Sequence, residues 1–157
     1  MTKPLISIII PTKNEEINIG RLIKSIVTSK NYSEDLIEII VVDNPGTTDK
    51  TRFIVKEFQS VELFLQGPER SSQRNYGAKM AKGQYLYFVD ADMEFSTTLL
   101  ETILDNLSQD VALIVPESIP GTSLYCRAIN LEKQIYKNNS IISASRIFLK
   151  RDRKSVV

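Results

Sequence analysis

Apolar residues in this chain come in short unbroken runs, and between the runs they recur every three or four positions. Leu5-Ile-Ser-Ile-Ile-Ile10, Ile37 to Val42, Val61 to Leu65, Tyr85 to Val89 and Val111 to Val115 are the runs. Runs this short, rich in β-branched and aromatic residues and without alternation, predict strands buried on both faces, as in a parallel sheet. Ile19, Leu22, Ile23, Ile26 and Val27 keep helical spacing, and so do Leu99, Leu100, Ile103, Leu104 and Leu107. Each set predicts a helix with one apolar stripe turned to the sheet.

Further helices are expected from about Thr48 to Gln59, burying Phe53, Ile54 and Phe58 or their neighbours, and from Ser71 or Ser72 to about Lys82. Another is expected on the face marked by Leu124, Ala128, Leu131 and Ile135, where core packing explains the stripe. Ile141 to Leu149 alternate weakly and predict a last strand. Strands that alternate with helices in this way give an α/β fold, with a mainly parallel sheet and helices on both faces.

Punctuation sets the expected boundaries. Pro11 should stop the first strand, and Asn14 should cap the first helix with Glu15 and Glu16 in its first turn. Gly83 should end the third helix, in which Gly77 and Ala78 are small enough to let it lie close on the sheet.

Composition narrows the function. At 157 residues, 42% of them hydrophobic, the chain suffices for one globular domain with its own core. Lys+Arg number 20 against 19 for Asp+Glu, so there is no basic excess to attract nucleic acid. Histidine is absent, which excludes a Ser-His-Asp triad, a Cys-His pair and histidine metal ligands. Cys126 is the only cysteine, and no signal-peptide pattern precedes Pro4; both predict a cytoplasmic setting. No apolar run reaches the ~18 to 20 residues that cross a bilayer, so a membrane contact is expected to be peripheral at most, at the inner face. The basic run Lys150-Arg-Asp-Arg-Lys154 reads as a solvated end in preference to an anionic-lipid contact.

Candidate chemistry gathers where predicted strands end. Asp90 and Asp92 follow the Tyr85 to Val89 run, Asp43 follows Ile37 to Val42, and Ala91 between the paired acids lets the backbone approach a ligand. In an open α/β sheet the carboxyl edge is where ligands bind, because helix amino termini open onto the same crevice. Two carboxylates one residue apart suit a hard cation such as Mg²⁺, which takes one or two protein carboxylates and leaves its other positions to water and phosphate. Asp43 reads equally as a ligand contact or as a turn-forming residue of Asn44-Pro-Gly-Thr-Thr-Asp49. Arg74, in the first turns of its helix, reads either as a solvated cation or as one facing a phosphate, since a cation there is unfavourable without an anion nearby.

Taken in order, these residues resemble the amino-terminal half of a family 2 glycosyltransferase with the Rossmann-like GT-A fold. The resemblance rests on Ser7-Ile-Ile-Ile-Pro-Thr-Lys-Asn-Glu-Glu16, on Ile39-Ile-Val-Val-Asp43 with Gly46 and Thr48-Asp-Lys-Thr51, on Arg74-Asn75-x-Gly77 before Lys82-Gly83, and on Phe88-Val-Asp-Ala-Asp92 as an Asp-x-Asp motif. It implies that the Pro11-Thr12 backbone, Glu15 and Asp43 hold the base and ribose of a nucleotide sugar, of the UDP or GDP class, and that Arg74 positions the nucleotide. Asp90 would lie by the ribose and the metal, and Asp92 would ligate Mn²⁺ or Mg²⁺ at the diphosphate.

The implied reaction is sugar transfer, with inversion, to an acceptor hydroxyl on a glycan or lipid-linked saccharide; a homo-oligomer is compatible with it. Residues 1–115 would form the nucleotide-sugar-binding core and 116–157 the start of the acceptor side. Lys13 stands where many members carry an aromatic residue, and Asn44-Pro45 replaces the usual acidic-glycine turn. The family takes its catalytic base from an acidic motif beyond the region of Leu149, and no Glu-Asp pair follows Asp92. The expectation is therefore a chain truncated at its carboxyl end, and the alternative function is a non-catalytic nucleotide-sugar-binding fragment. A sugar-phosphate nucleotidyltransferase would need a Gly-rich phosphate loop after the first strand, and a receiver domain a lysine after the fifth; neither is present.

Overall fold

The computed structural model describes residues 4–107 and 146–152, with 113, 115, 118, 122, 123, 127, 130 and 131 between them. Five strands form one sheet: β1 (Ile6–Thr12), β2 (Ile37–Asp43), β3 (Val61–Leu65), β4 (Tyr85–Phe88) and β5 (Ile147–Leu149). Their order is β3-β2-β1-β4-β5. The first four are mutually parallel, and β5 runs antiparallel to β4. From β1 the chain steps outward through β2 and β3, then crosses to the other side of β1 for β4. The strand order thus reverses between β1 and β4, which makes that the switch point of the sheet.

Every residue of β1 and β4 is buried, because helices cover both faces. One layer holds α1 (Ile19–Val27), α2 (Thr51–Lys56) and α4 (Leu99–Asn106), whose Leu22, Ile23, Ile26, Val55, Leu100 and Ile103 pack on Ile8, Ile39, Tyr85 and Tyr87. On the other face α3 (Arg70–Met80) sets Ala78 among Ile9, Ile40, Val42, Leu86 and Phe88. Gly77 is what lets α3 come this close: a Cβ there would lie 2.5 Å from Ile9 Cγ2 and 3.2 Å from Val42 Cγ2.

Several boundaries differ from expectation. Strand β1 continues through Pro11 to Thr12. The Ile9 carbonyl accepts from Val89 on the β4 side, so Pro11, two residues on, faces the same side, where β4 has ended. Its missing N–H therefore costs no rung of the ladder. Asn14 does not cap α1. It adopts a left-handed φ of 55°, and its Oδ1 accepts from the Thr48 amide at 2.9 Å, while the helix begins at Ile19. Phe53 is 73% exposed. The phase of α2 is set by Thr51, whose hydroxyl donates to Asp49 Oδ1 at 2.5 Å and accepts from the Glu15 amide at 2.8 Å; this turns Thr51 and Val55 inward and Phe53 out.

Helix α3 starts at Arg70, with Glu69 at its N-cap position, ahead of both serines expected to cap it. Of the expected fifth strand only Leu113 and Val115 are described; Leu113 bridges Ile147 in antiparallel sense, and the rest of 111–115 lies outside the described residues. So do most of the expected helix at 124–136, residues 141–145 of the last strand, and 153–154 of the basic run. Among the described residues no helix is long and apolar enough to cross a membrane.

Candidate functional site

The last rung between β1 and β2 pairs Thr12 with Asp43, so both stand at the carboxyl edge of the sheet. Asp43 is fully buried. Its Oδ1 accepts from the hydroxyls of Thr12 and Thr47, each at 2.8 Å, and its Oδ2 faces Arg52 Nε at 2.6 Å. Arg52 also donates to the carbonyls of Asn44 and Pro45 at 2.8 and 2.9 Å. A buried carboxylate is tolerated only when charge and hydrogen bonds replace its water, and Arg52 with two threonines does so here. Asp43 thus organises the loop after β2 and leaves no part of its own side chain exposed.

That loop is stitched to the one after β1. Besides the Thr48–Asn14 contact, the Glu16 amide donates to Asp49 Oδ2 and the Lys50 amide to Glu16 Oε2, both at 3.0 Å. Glu15 lies partly buried between them, its Oε2 accepting from Asn18 Nδ2 at 3.0 Å. Pro11, Thr12, Glu15 and Asp43 therefore lie together at the β1–β2 end of the carboxyl edge.

At the other end, Asp90 leaves β4 with its side chain 21% exposed. Arg74 Nη2 donates to Oδ1 at 2.6 Å, Arg146 Nη1 to Oδ2 at 3.1 Å, and Arg70 Nη1 stands 3.7 Å from Oδ1. Burial disfavours the charged form of Asp90, but the hydrogen bond from Arg146 and the charge of Arg74 outweigh it and hold the carboxyl below its ordinary range. One carboxylate thus meets three guanidinium groups, two from the start of α3 and one from the residue preceding β5.

Ala91 is buried and Asp92 is exposed, on a turn closed by the Met93 amide donating to the Asp90 carbonyl at 3.1 Å. Among the described residues there is no group of three or more His, Cys, Asp and Glu that could hold a metal. The donor chemistry fits a hard cation through one carboxylate, Asp92, with phosphate and water completing the shell. Asp90 fits that role less well, because its oxygens face arginines.

Asp43, Asp90 and Asp92 all lie at the carboxyl edge, as expected, but they do not converge on one point: β1 separates β2 from β4. Arg52, Thr47, Gln73 and Arg146 were not anticipated from the sequence. Gln73, only 3% exposed, carried a signal in hindsight. It stands four residues before Gly77, on the helix face the glycine turns to the sheet.

Known proteins resemble this chain in sequence and in fold. The model of glycosyl transferase family 2 matches residues 7–153. Over 96% of its length the chain is 27% identical to glycosyltransferase AglE of Haloferax volcanii, and over 70% it is 35% identical to an uncharacterized glycosyltransferase of Haemophilus influenzae. Over 83% it is 29% identical to the GalNAc(5)-diNAcBac-PP-undecaprenol beta-1,3-glucosyltransferase of Campylobacter jejuni. The chain spans about half the length of these relatives, 54%, 45% and 42% respectively. Among solved structures, S. aureus TarS in complex with UDP-GlcNAc aligns with 64% of this chain and 30% of its own at a TM-score of 0.58 and 28% identity. The mannosyltransferase PcManGT of Pyrobaculum calidifontis, in complex with GDP-Man and Mn²⁺, aligns with 72% of this chain and 34% of its own at 0.61 and 24% identity, which speaks to the fold.

Proposed function

The chain belongs to glycosyl transferase family 2, and from that premise we propose that it takes part in transferring a sugar from a nucleoside-diphosphate sugar to an acceptor hydroxyl, with inversion and with Mn²⁺ or Mg²⁺. The observation that carries the reading is the division of the carboxyl edge into two unlike ends: a neutralised, hydrogen-bonded end at Thr12 and Asp43, and a cationic end at Asp90 beside an open carboxylate. A nucleotide sugar is divided the same way, into a polar nucleoside and a charged diphosphate. In this reading the Pro11-Thr12 backbone and Glu15 receive the base and ribose. Asp43 contributes by holding the loop that carries Thr47 and tying it to Arg52 of α2.

Arg74 and Arg70 lie where the diphosphate would sit. Asp90 keeps the first of them in place, and Asp92 is the ligand offered to the cation. When bound, the cation supplies electrostatic stabilisation of the charge that grows on the departing diphosphate. The UDP-GlcNAc bound by TarS supports a nucleotide-sugar donor. The undecaprenol-linked saccharide in the Campylobacter relative's name supports an acceptor of the lipid-linked class. Residues 1–115 then form the donor side and 116–157 the start of the acceptor side, with β5 returning to the donor sheet.

The test is release of nucleoside diphosphate from UDP- and GDP-sugars in the presence of lipid-linked and free glycan acceptors. Transfer that requires Mn²⁺ or Mg²⁺ and disappears in Asp92→Asn is the expected result. Transfer unaffected by that substitution would overturn the assignment.

A further inference from the structure

The buried amide of Gln73 is used by neither the fold's apolar packing nor the chemistry assigned above. It sits on α3 at a point where both hydrogens of Nε2 are taken by main-chain carbonyls of two different strands: Thr12 of β1 at 2.8 Å and Val42 of β2 at 2.7 Å. Two carbonyl oxygens facing one amide atom fix that atom as nitrogen, so the orientation of the side chain is not ambiguous. The Thr12 carbonyl already accepts from the Asn44 amide at 2.9 Å; Gln73 occupies its second lone pair. The ladder is therefore complete without Gln73, and the side chain adds a cross-tie to it.

The place of the tie matters. Thr12 and Asp43 are the last pair of β1 and β2, and beyond them begin the two loops assigned to the nucleoside. Adjacent strands twist relative to one another by roughly 20–25°, so their ends tend to splay where the ladder stops. An amide reaching up from the opposite face counters this at the last rung. Glutamine suits the task because it offers two hydrogens on one atom without burying a charge, which lysine or arginine would do. Gly77, one turn further along α3, would meet Ile9 and Val42 with any larger side chain, so the same helix face is brought close to the same two strands.

We propose that Gln73 is a positioning residue for the nucleoside half of the donor: its amide holds the ends of β1 and β2 at the spacing that places the Pro11-Thr12 backbone and the Asp43 loop. This rests on the reading of the crevice as a nucleotide-sugar site. It separates Gln73 from the Asp90 and Asp92 end, which the tie does not touch.

Gln73→Met keeps the volume and removes the donors. Its binding of UDP and GDP, and of inorganic pyrophosphate with Mn²⁺, is compared with the wild type by calorimetry. The expected result is a loss of about tenfold or more in nucleoside diphosphate affinity, as for a lost pair of buried hydrogen bonds, with pyrophosphate affinity changed by less than about twofold. Asp92→Asn should weaken pyrophosphate with Mn²⁺ by about tenfold or more and leave UDP and GDP, titrated without Mn²⁺, unchanged. Should Gln73→Met fail to fold, Gln73→Asn, one methylene too short to reach both carbonyls, is expected to show the same split. Equal losses for both ligands, or no loss for either, would overturn the positioning role. A wild-type chain that binds pyrophosphate with Mn²⁺ but no nucleoside diphosphate would instead overturn the reading of the crevice, and this inference with it.

Discussion

Three aspartates stand at strand ends, and their surroundings give them three different tasks. Asp43 is sealed under Arg52 and two threonines, Asp90 is shared among arginines, and Asp92 faces solvent. The Asp90 carboxyl is held below its ordinary range, so linkage applies with a definite sign. Its contribution to stability is present above the unfolded value of about 3.9 and is lost as pH falls through the lower folded value. The wild type should therefore melt higher than Asp90→Asn near pH 6, and the two melting temperatures should draw together towards pH 3; a constant gap across that range would contradict the pairing. The sequence placed all three acids at the right edge because a carboxylate after a buried strand has nowhere else to go. It could not assign their partners, since Arg52 lies nine residues from Asp43 and Arg146 lies 56 from Asp90, and neither spacing follows any local rule.

The helix α3 shows how a single element ties the site to the sheet. Gly77 carries the close approach and Gln73 the cross-tie, on one face and one turn apart. Gly77→Ala should raise intrinsic helix propensity by roughly 1 kcal/mol, yet the added methyl would meet Ile9 at 2.5 Å. Overpacking of this kind costs about 1–3 kcal/mol, so a net loss of stability is expected in urea denaturation, and a gain would show that the helix has room to move. That closeness was readable from the small residues at 77 and 78. Cap positions and helix phase were less so. Asn14 and Thr51 were drawn into contacts between loops more than thirty residues apart, and these override local capping preference and turn Phe53 outward.

At the scale of the whole molecule, the run-and-stripe pattern was enough to give a mainly parallel α/β sheet with helices on both faces, because strands buried on both faces need cover on both; the strand order that puts the switch point between β1 and β4 comes from the structure. Direction was not readable for β5, whose three residues carry too little pattern to distinguish an antiparallel return from a parallel continuation. Although it comes from the part of the chain assigned to the acceptor side, β5 belongs to the core: Ile147 is fully buried and packs with the α1, α2 and α4 layer. Ile147→Ala should cost about 2–5 kcal/mol, a large share of the 5–15 kcal/mol typical of a domain, measured by equilibrium unfolding; a loss under about 0.5 kcal/mol would mean that the sheet ends at β4.

The central claim is that the carboxyl edge binds a nucleoside diphosphate through a cation held by Asp92. Titration of UDP and GDP into the wild type and into Asp92→Asn, each with and without Mn²⁺, tests it most directly. The account predicts that Mn²⁺ raises the wild-type affinity for at least one of them by about tenfold or more and leaves Asp92→Asn unchanged. Equal affinity with and without Mn²⁺ in the wild type, for both nucleotides, would contradict it.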